Sequence, residues 1–424
     1  MLMMLTTATF VIAYALIMSE RVPHYLVALG GAVAVLAIGA IDPVTAMSDP
    51  HRGIDWDVIL LLVGMMLLVS AIQSTQFFPV LAHRIETIVR GNARGTVIAL
   101  VVLSALASSV LPNLTIVMMV APVAIHLAKR LGRSAVPFVL ATIFGSNIGG
   151  TATLIGDPPN LIIGSRVGIS FVEFVTAMGP VALVALVVAI GYLLLVYRRE
   201  LATSAVIDVA IDAPVVHLVK IPTLVLSGVI LATIIGTYSV GSLFGIPAAT
   251  VAVVGGLIAV VVARIPVATV ASAIEWRTLA FFLGLFVLVG SLVSVGALHA
   301  ASQVLVTLIG NDPGVITGGL LFVSGIASGI VDNIPYVTSM IPVVSDINTA
   351  LGLSDHSSLW WALAAGADLG GNLTVVGASA NIVGVAIAHR EGIRLSLWDF
   401  AKVGIPLTLV TLVAVLPVVL ATGR

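Results

Sequence analysis

Two stretches of sequence decide the fold: GGTATLIGDPPN at residues 149–160 and GGNLTVVGASAN at residues 370–381. Each interrupts an apolar run of about 30 residues, which is long enough to cross a bilayer. Glycine weakens a helix by about 1 kcal/mol per residue and proline breaks it. The segments 145–160 and 366–381 are therefore both predicted to unwind partway through a membrane-spanning helix. Unwound backbone at that depth must be buried in protein or line a wet cavity, so both segments are candidates for a solute site.

The composition is that of a membrane protein. Hydrophobic residues make up 60% of the 424 residues and charged residues only 9%. The charged residues are too few to cover the surface of a water-soluble globular protein. A net charge of -1 and an aromatic content of 6% argue against binding to nucleic acid. The chain has no cysteine, which removes disulfides and thiolate metal sites. The sequence shows no metal cluster, nucleotide-binding loop or nucleophile–base pair, so we expect neither a cofactor nor an enzyme.

The two stretches belong to an internal repeat with an offset of about 220 residues. The matches fall on residues with special roles, such as Trp56 with Trp276 and Asn113 with Asn333, rather than on common apolar residues. Apolar runs predict five spans and one helical hairpin in each half. The predicted spans are 2–19, 24–42, 57–74, 136–165 and 174–197, then 221–238, 246–263, 277–295, 359–388 and 401–421, and the hairpins are 97–131 and 315–346.

An odd number of spans in each half predicts an inverted repeat, because the second copy must enter the membrane from the opposite side. The first repeat is predicted at 1–197 and the second at 221–424, with a polar linker over 198–220. Of the 18 Lys and Arg residues, all but Arg52, Arg166 and Arg424 fall on the side of this linker. This bias predicts a plasma (inner) membrane protein with a cytoplasmic linker and both termini outside.

The hairpin bends carry amides beside proline. Asn113 follows Pro112, and Asn333 lies in the sequence VDNIP at 331–335. Because the bends match across the repeat, we expect both hairpins to re-enter the membrane rather than to form surface loops between ordinary spans.

Polar residues of the bends and of the glycine-rich segments are the candidate substrate-binding groups. An alternative is that the glycines allow close helix packing and that the amides and hydroxyls join neighbouring helices. The candidates are Asn113, Thr115, Asn147, Thr153, Asn160, Asn333, Asn372, Thr374, Ser379 and Asn381.

Acidic residues within a membrane usually serve ions or protons. Asp157, Asp332 and Asp368 are therefore predicted to couple transport to protons or ions, although Asp157 is also placed as a turn or cap residue in Gly-Asp-Pro-Pro. Asp55 and Glu275 precede interfacial tryptophans and are expected to be solvated caps.

With these motifs, the chain resembles the ArsB and pink-eyed dilution (P) protein branch of the ion transporter superfamily. The resemblance rests on the two glycine-rich stretches and on VDNIP, and it covers nearly the whole chain. It implies an all-α polytopic elevator fold, in which two re-entrant hairpins and two unwound helices form a mobile domain. The scaffold would comprise about 1–74 and 221–296, and the transport domain about 97–170 and 315–390.

Related sodium-coupled dicarboxylate carriers have Ser-Asn-Thr at both hairpin tips. Here the tips read Pro112-Asn113-Leu114 and Asp332-Asn333-Ile334. This departure argues against carboxylate binding and against a sodium requirement.

Three functions follow as hypotheses. The first is efflux of arsenite and antimonite in exchange for protons, because an uncharged trihydroxide needs only Asn, Thr and Ser hydrogen bonds. The second is sodium/proton antiport, supported by the three acids and by exposed carbonyls. The third is transport of a carboxylate or other anion, which helix N-termini can attract. The expected partners are the solute, protons and the bilayer, while a homodimer that anchors the scaffold and a separate ATPase subunit both stay open.

Overall fold

The protein is described here from a computed structural model, which describes residues 1–19, 21–73, 92–202, 246–309 and 312–422 and the single residues 229, 233, 236 and 241. Most of the predicted linker 198–220 and of the predicted span 221–238 lies outside the described residues. The regular elements of the described part are α-helices. In chain order they are α1 (Leu2–Met18), α2 (His24–Ala37), α3 (Pro43–Ser48), α4 (Trp56–Gln73), α5 (Ala93–Ser108), α6 (Asn113–Arg130), α7 (Val136–Gly150), α8 (Pro158–Val167), α9 (Phe171–Val196), α10 (Ala248–Val262), α11 (Val267–Ala273), α12 (Trp276–Ser294), α13 (Ala297–Ile309), α14 (Pro313–Ser328), α15 (Asn333–Ala350), α16 (Ser358–Gly370), α17 (Ser379–Arg390) and α18 (Leu397–Ala421).

Three helices of the described part, α9, α12 and α18, are long and apolar enough to cross a membrane. In α9 only 28% of the most apolar window is buried, and Leu183 and Val187 are exposed, as expected for a surface that faces lipid. Shorter apolar helices occupy other predicted spans. For example, α2 ends before the predicted limit at residue 42, because Gly39 adopts φ +72° and Asp42 caps the short helix α3.

Both predicted hairpins are present, at residues 93–130 and 313–350. The first hairpin comprises α5 and α6 with a bend at 109–112, and the second comprises α14 and α15 with a bend at 329–332. Pro112 takes the N-cap position of α6, while the side chain of Asp332 caps α15. The local chemistry of proline and of the capping carboxylate therefore starts each returning helix at an asparagine.

The two glycine-rich stretches each break a helix, but the break is shorter than predicted. The chain leaves the helix after Gly150 and resumes it at Pro158, and in the second half it leaves after Gly370 and resumes at Ser379. The first unwound segment is therefore 151–157 and the second is 371–378.

The earlier glycines of each stretch stay helical because they allow close packing against a hairpin. A Cβ on Gly149 would lie 2.1 Å from the carbonyl oxygen of Ala105, and a Cβ on Gly370 would lie 2.4 Å from that of Gly325. For these glycines the packing alternative is correct, and their predicted unwinding is wrong. Backbone contact with a neighbouring helix has outweighed their low helix propensity.

Each broken helix passes from its own hairpin to the other one. The first half of each, α7 or α16, packs on α5 or α14 of its own hairpin. The second half, α8 or α17, packs on α15 or α6 of the opposite hairpin. This exchange interlocks the two halves of the sequence and brings both bends and both unwound segments to one place.

The Gly149→Ala variant tests the close packing of α7 on α5. We expect it to lower the free energy of unfolding by about 1–3 kcal/mol, because the added methyl overlaps a backbone carbonyl that cannot move aside. The measurement is thermal unfolding in detergent. The control is Gly191→Ala on α9, where a Cβ meets nothing within 4 Å, so stability should be unchanged or rise by up to about 1 kcal/mol. Equal unfolding midpoints for Gly149→Ala and the unmodified protein would contradict the packing argument.

Candidate solute site

A cavity of about 570 Å³ lies where the two hairpin bends meet the unwound segments. The helices α6, α8, α15 and α17 all begin at its wall. Helix N-termini present backbone N–H groups without helical partners and carry a partial positive charge. From these elements the wall receives Pro112, Asn113, Leu114, Thr115, Met118, Asp157, Pro158, Asp332, Asn333, Ile334, Ala378 and Ser379.

The cavity reaches the protein surface on the side of α11 and α12. There it is lined by exposed Glu275 and Arg277 and by half-buried His24. In the orientation predicted from the charge bias, this is the cytoplasmic side.

Asp157 joins the two hairpin bends. Its Oδ2 accepts a hydrogen bond from Asn113 Nδ2 at 3.0 Å and another from Asn333 Nδ2 at 3.2 Å. Asp157 occupies the N-cap position of α8, but its side chain makes no capping hydrogen bond. The carboxylate is thus directed to the bends rather than to the backbone of its own helix.

Asn147 is the centre of an amide network that crosses the repeat. Its Oδ1 accepts from Asn113 Nδ2 at 3.3 Å, and its Nδ2 donates to Asn381 Oδ1 at 2.8 Å and to Asn372 Oδ1 at 3.0 Å. All four side chains are buried. The first hairpin, the first broken helix and the second broken helix are therefore joined through neutral amides.

Asn160 and Asn381 bond to the carbonyls of the unwound segments. Both residues are fully buried, and each lies two positions into the helix that follows its unwound segment. They provide donors for carbonyl groups that have lost their helical partners. The hydrogen bonds run from Asn160 Nδ2 to Gly150 O (3.1 Å) and Thr153 O (3.3 Å), and from Asn381 Nδ2 to Gly371 O (2.6 Å) and Thr374 O (2.8 Å).

Two threonine hydroxyls fasten the unwound segments to the bends. Thr153 Oγ1 donates to Ser109 O at 2.5 Å, and Thr374 Oγ1 donates to Gly329 O at 2.6 Å. Because these hydroxyls are occupied by backbone carbonyls, they hold the site together rather than present themselves to a solute.

The predicted site residues therefore separate into two groups. One group lines the cavity, and the other forms the buried network behind it. The lining group is Asn113, Thr115, Asn333 and Ser379 with the acids Asp157 and Asp332. The second group is Asn147, Thr153, Asn160, Asn372 and Asn381 with the acid Asp368, all of them buried, and the half-buried Thr374.

The prediction from the sequence did not find the role of Asp55. Its side chain is 5% exposed and forms an ion pair of 3.0 Å with Arg166, so the expectation of a solvated residue is wrong. It still caps α4, since Oδ1 accepts from the N–H of Val58 at 3.1 Å. The one available signal was Arg166 itself, a cation in the last turn of α8 on the side with few Lys and Arg residues.

A comparison with protein families identifies the chain. The family described as "Citrate transporter" (CitMHS) matches residues 14–366. The chain belongs to this citrate transporter family. An uncharacterized transporter of Mycobacterium tuberculosis is 39% identical over 410 residues, which is 95% of each chain. The P protein of Homo sapiens is 28% identical over 490 residues, covering 96% of this chain and 58% of that protein.

Solved structures share the fold of this member of the citrate transporter family. The YdaH transporter of Alcanivorax borkumensis superposes with a TM-score of 0.62 at 15% identity, over 95% of this chain and 98% of that one. MtrF of Neisseria gonorrhoeae gives a TM-score of 0.59 at 12% identity, over 92% and 84% of the two chains. The family match and the relatives, which include a membrane protein of Mycobacterium leprae, make the protein a multi-pass secondary transporter and not an enzyme.

The Asp157→Ala variant tests the junction of the two bends. It removes the acceptor shared by the amides of Asn113 and Asn333, and a buried polar group without a partner costs about 1–3 kcal/mol. We expect a clear fall in the midpoint of thermal unfolding in detergent. Ser379→Ala is the control, because this exposed side chain should change stability by less than about 0.5 kcal/mol. If both variants unfold with the midpoint of the unmodified protein, the bends do not depend on Asp157.

Proposed function

We propose that this chain exports arsenite and antimonite in exchange for protons by an elevator-type movement. The observation that supports this function is the chemistry of the cavity wall. The bends and the starts of the helices that follow them supply the amides of Asn113 and Asn333 and the hydroxyls of Thr115 and Ser379. Among the described residues that line the cavity, the one Lys or Arg is Arg277, which lies at the opening. Near neutral pH arsenite is an uncharged trihydroxide. Its hydroxyl groups both donate and accept hydrogen bonds, which neutral amides and hydroxyls can match without a fixed cation.

Transport of a carboxylate is the second candidate. It is favoured by the description of the family and by the four helices that begin at the cavity, since helix N-termini attract anions. The carboxylates of Asp157 and Asp332 at the same wall act against it, because they repel an anionic solute. The same two carboxylates favour the third candidate, sodium/proton antiport.

The elevator movement is supported by contacts between the proposed scaffold, 1–74 and 221–296, and the proposed transport domain, 97–170 and 315–390. The ion pair between Asp55 and Arg166 crosses this boundary on the side away from the cavity opening. The hydroxyl of Tyr14 crosses it as well and hydrogen-bonds Ser339 Oγ at 2.7 Å. Movement of the transport domain along the scaffold would have to separate both contacts, so they hold the state that opens toward Glu275 and Arg277.

Solute flux in vesicles tests the proposed substrate. The purified full chain is reconstituted, and fluxes of arsenite, antimonite, sodium, citrate and succinate are compared with and without an imposed pH step. We expect arsenite flux in sodium-free buffer that the pH step accelerates. Asn113→Ala and Asn333→Ala should each reduce it about tenfold, the effect of losing one hydrogen bond of about 1.4 kcal/mol. Thr176→Ala is the matched control, because this exposed hydroxyl on α9 bonds only within its own helix.

The other solutes decide between the candidates. Citrate or succinate flux without arsenite flux would replace the proposal with carboxylate transport. Sodium flux driven by the pH step, again without arsenite flux, would replace it with sodium/proton antiport.

Cross-linking tests the movement. Because the chain contains no cysteine, the double variant Asp55→Cys with Arg166→Cys can be joined without background reaction by a short bis-methanethiosulfonate, which links the two thiols through reducible disulfides. We expect the linked protein to stop transport and a reducing agent to restore it. Each single variant, treated in the same way, should keep its own untreated rate. Undiminished transport by the linked protein would show that Asp55 and Arg166 do not separate.

A further inference from the structure

The buried network contains two versions of one three-residue group, related by the internal repeat. In one version a central amide contacts two further amides, whereas in the other a central carboxyl contacts an amide and a hydroxyl. The offset of about 221 residues relates Asn147 to Asp368, Asn372 to Thr151, and Asn381 to Asn160.

The version around Asn147 satisfies the hydrogen bonds of Asn381. The oxygen of Asn381 accepts from Asn147 Nδ2 at 2.8 Å, and its nitrogen donates to the carbonyls of Gly371 and Thr374. An amide nitrogen carries two hydrogens, so each of these acceptors receives one. The atom left over in this version is a donor, the buried nitrogen of Asn372, which has no partner.

The version around Asp368 has more hydrogen-bond acceptors than hydrogens to donate to them. Asn160 Nδ2 faces three acceptors, the carbonyls of Gly150 and Thr153 and the carboxyl Oδ2 of Asp368 at 2.8 Å, with only two hydrogens to give. The hydroxyl of Thr151, which faces Asp368, gives its one hydrogen to Asn147 O at 3.1 Å. Asn160 Oδ1 and Asp368 Oδ1 are buried without a hydrogen-bond partner. Buried acceptors without donors are costly, and such a shortage calls for one more hydrogen.

We propose that Asp368 carries the exchanged proton and that its protonated carboxyl closes this group as the Asn147 amide closes the other. The O–H of the acid supplies the hydrogen that one of the buried acceptors lacks. When the proton leaves, a carboxylate stays behind with more acceptors than donors around it. This inference rests on the proton exchange proposed above and assigns it to one residue.

The other two acids of the site are in different surroundings. Asp157 Oδ2 already accepts two amide hydrogen bonds, and Asp157 lines the cavity. Asp332 is half-buried and caps α15. Of the three carboxyls, Asp368 is the one with a buried oxygen that has no hydrogen-bond partner.

Asp157 is the titratable group that interacts electrostatically with Asp368, and it also interacts with Asp332. Tyr192 lies near the end of α9, and the remaining charged or titratable side chains on the helices packed against α16 have partners elsewhere. Those side chains are Arg166 with Asp55, Glu173 with His356, Tyr336 with Ser324, Asp346 with His299, and Asp399 with Lys402.

This arrangement gives a route from the proton to the solute. While Asp368 is protonated, the carboxylate of Asp157 holds the amides of Asn113 and Asn333. When Asp368 is ionised, two like charges share a buried region, and their repulsion raises the free energy of the arrangement in which the carboxylate of Asp157 is held at the bends. The two amides are then free to bind a solute. Proton and solute exclude one another, as exchange transport requires.

The Asp368→Asn variant, which gives this position the amide found at Asn147, tests the assignment in the reconstituted full chain. As the pH rises through the range in which a single carboxyl loses its proton, the affinity of the unmodified protein for arsenite should increase by up to about tenfold per pH unit. Asp368→Asn should bind arsenite as weakly as the unmodified protein does at low pH, and at every pH. A variant that keeps the pH dependence overturns the proposal. If the variant and the unmodified protein bind arsenite equally at low pH, the variant has lost the titrating carboxyl and its binding site is otherwise intact.

Infrared difference spectroscopy without solute separates this inference from the proposed substrate. A pH-dependent band of a protonated carboxyl should vanish in Asp368→Asn, persist in Asp157→Asn, and be joined by a second band in the mirror variant Asn147→Asp. Loss of the band in Asp157→Asn instead would overturn the assignment. If Asp368→Asn does not fold, Asp368→Glu replaces it, and the band must then shift in frequency. An unshifted band in Asp368→Glu would also overturn the assignment. If the band is assigned to Asp368 but no arsenite binds, the proton site stands and the proposed substrate fails.

Discussion

Peptide groups that leave a helix in the buried interior of a membrane protein have no water to bond with, and the arrangement of this site follows from that constraint. The protein meets it with side chains. Asn160 and Asn381 donate to the carbonyls of the two unwound segments, and Thr153 and Thr374 fasten those segments to the hairpin bends. Without these bonds the breaks at Gly150 and Gly370 would expose unpaired groups, and the cavity would lose its wall.

The features that local chemistry controls could be predicted from the sequence. Pro112 and the capping Asp332 place the bends, and the runs that contain Pro158 and Gly371 place the breaks. Features that depend on distant packing could not. Gly149 stays helical because it touches α5, and Asp157 bonds to Asn333 only because α8 packs on the opposite hairpin. A sequence gives the spacing of polar groups. Their hydrogen-bond partners depend on tertiary packing, in which the second half of each broken helix packs on the hairpin of the other repeat.

The case of Asp55 shows the same limit. An acid before an interfacial tryptophan is ordinarily solvated, but here a cation 111 positions later in the chain folds against it. A charge in such surroundings needs its partner, because removing one member of a buried pair leaves the other uncompensated. The family match and the relatives establish a secondary transporter of the citrate transporter family. In the proposed function, the identity of the solute depends on the few side chains at the bends.

The replacement of one central amide by Asp368 also has an electrical consequence. In an elevator cycle that carries a neutral solute one way and a proton the other way, the moving domain differs by one elementary charge between its two journeys. One charge crossing the full membrane potential corresponds to about 2.3 kcal/mol per 100 mV. The membrane voltage would therefore favour one journey over the other, and a carrier of uncharged molecules would behave as an electrogenic device.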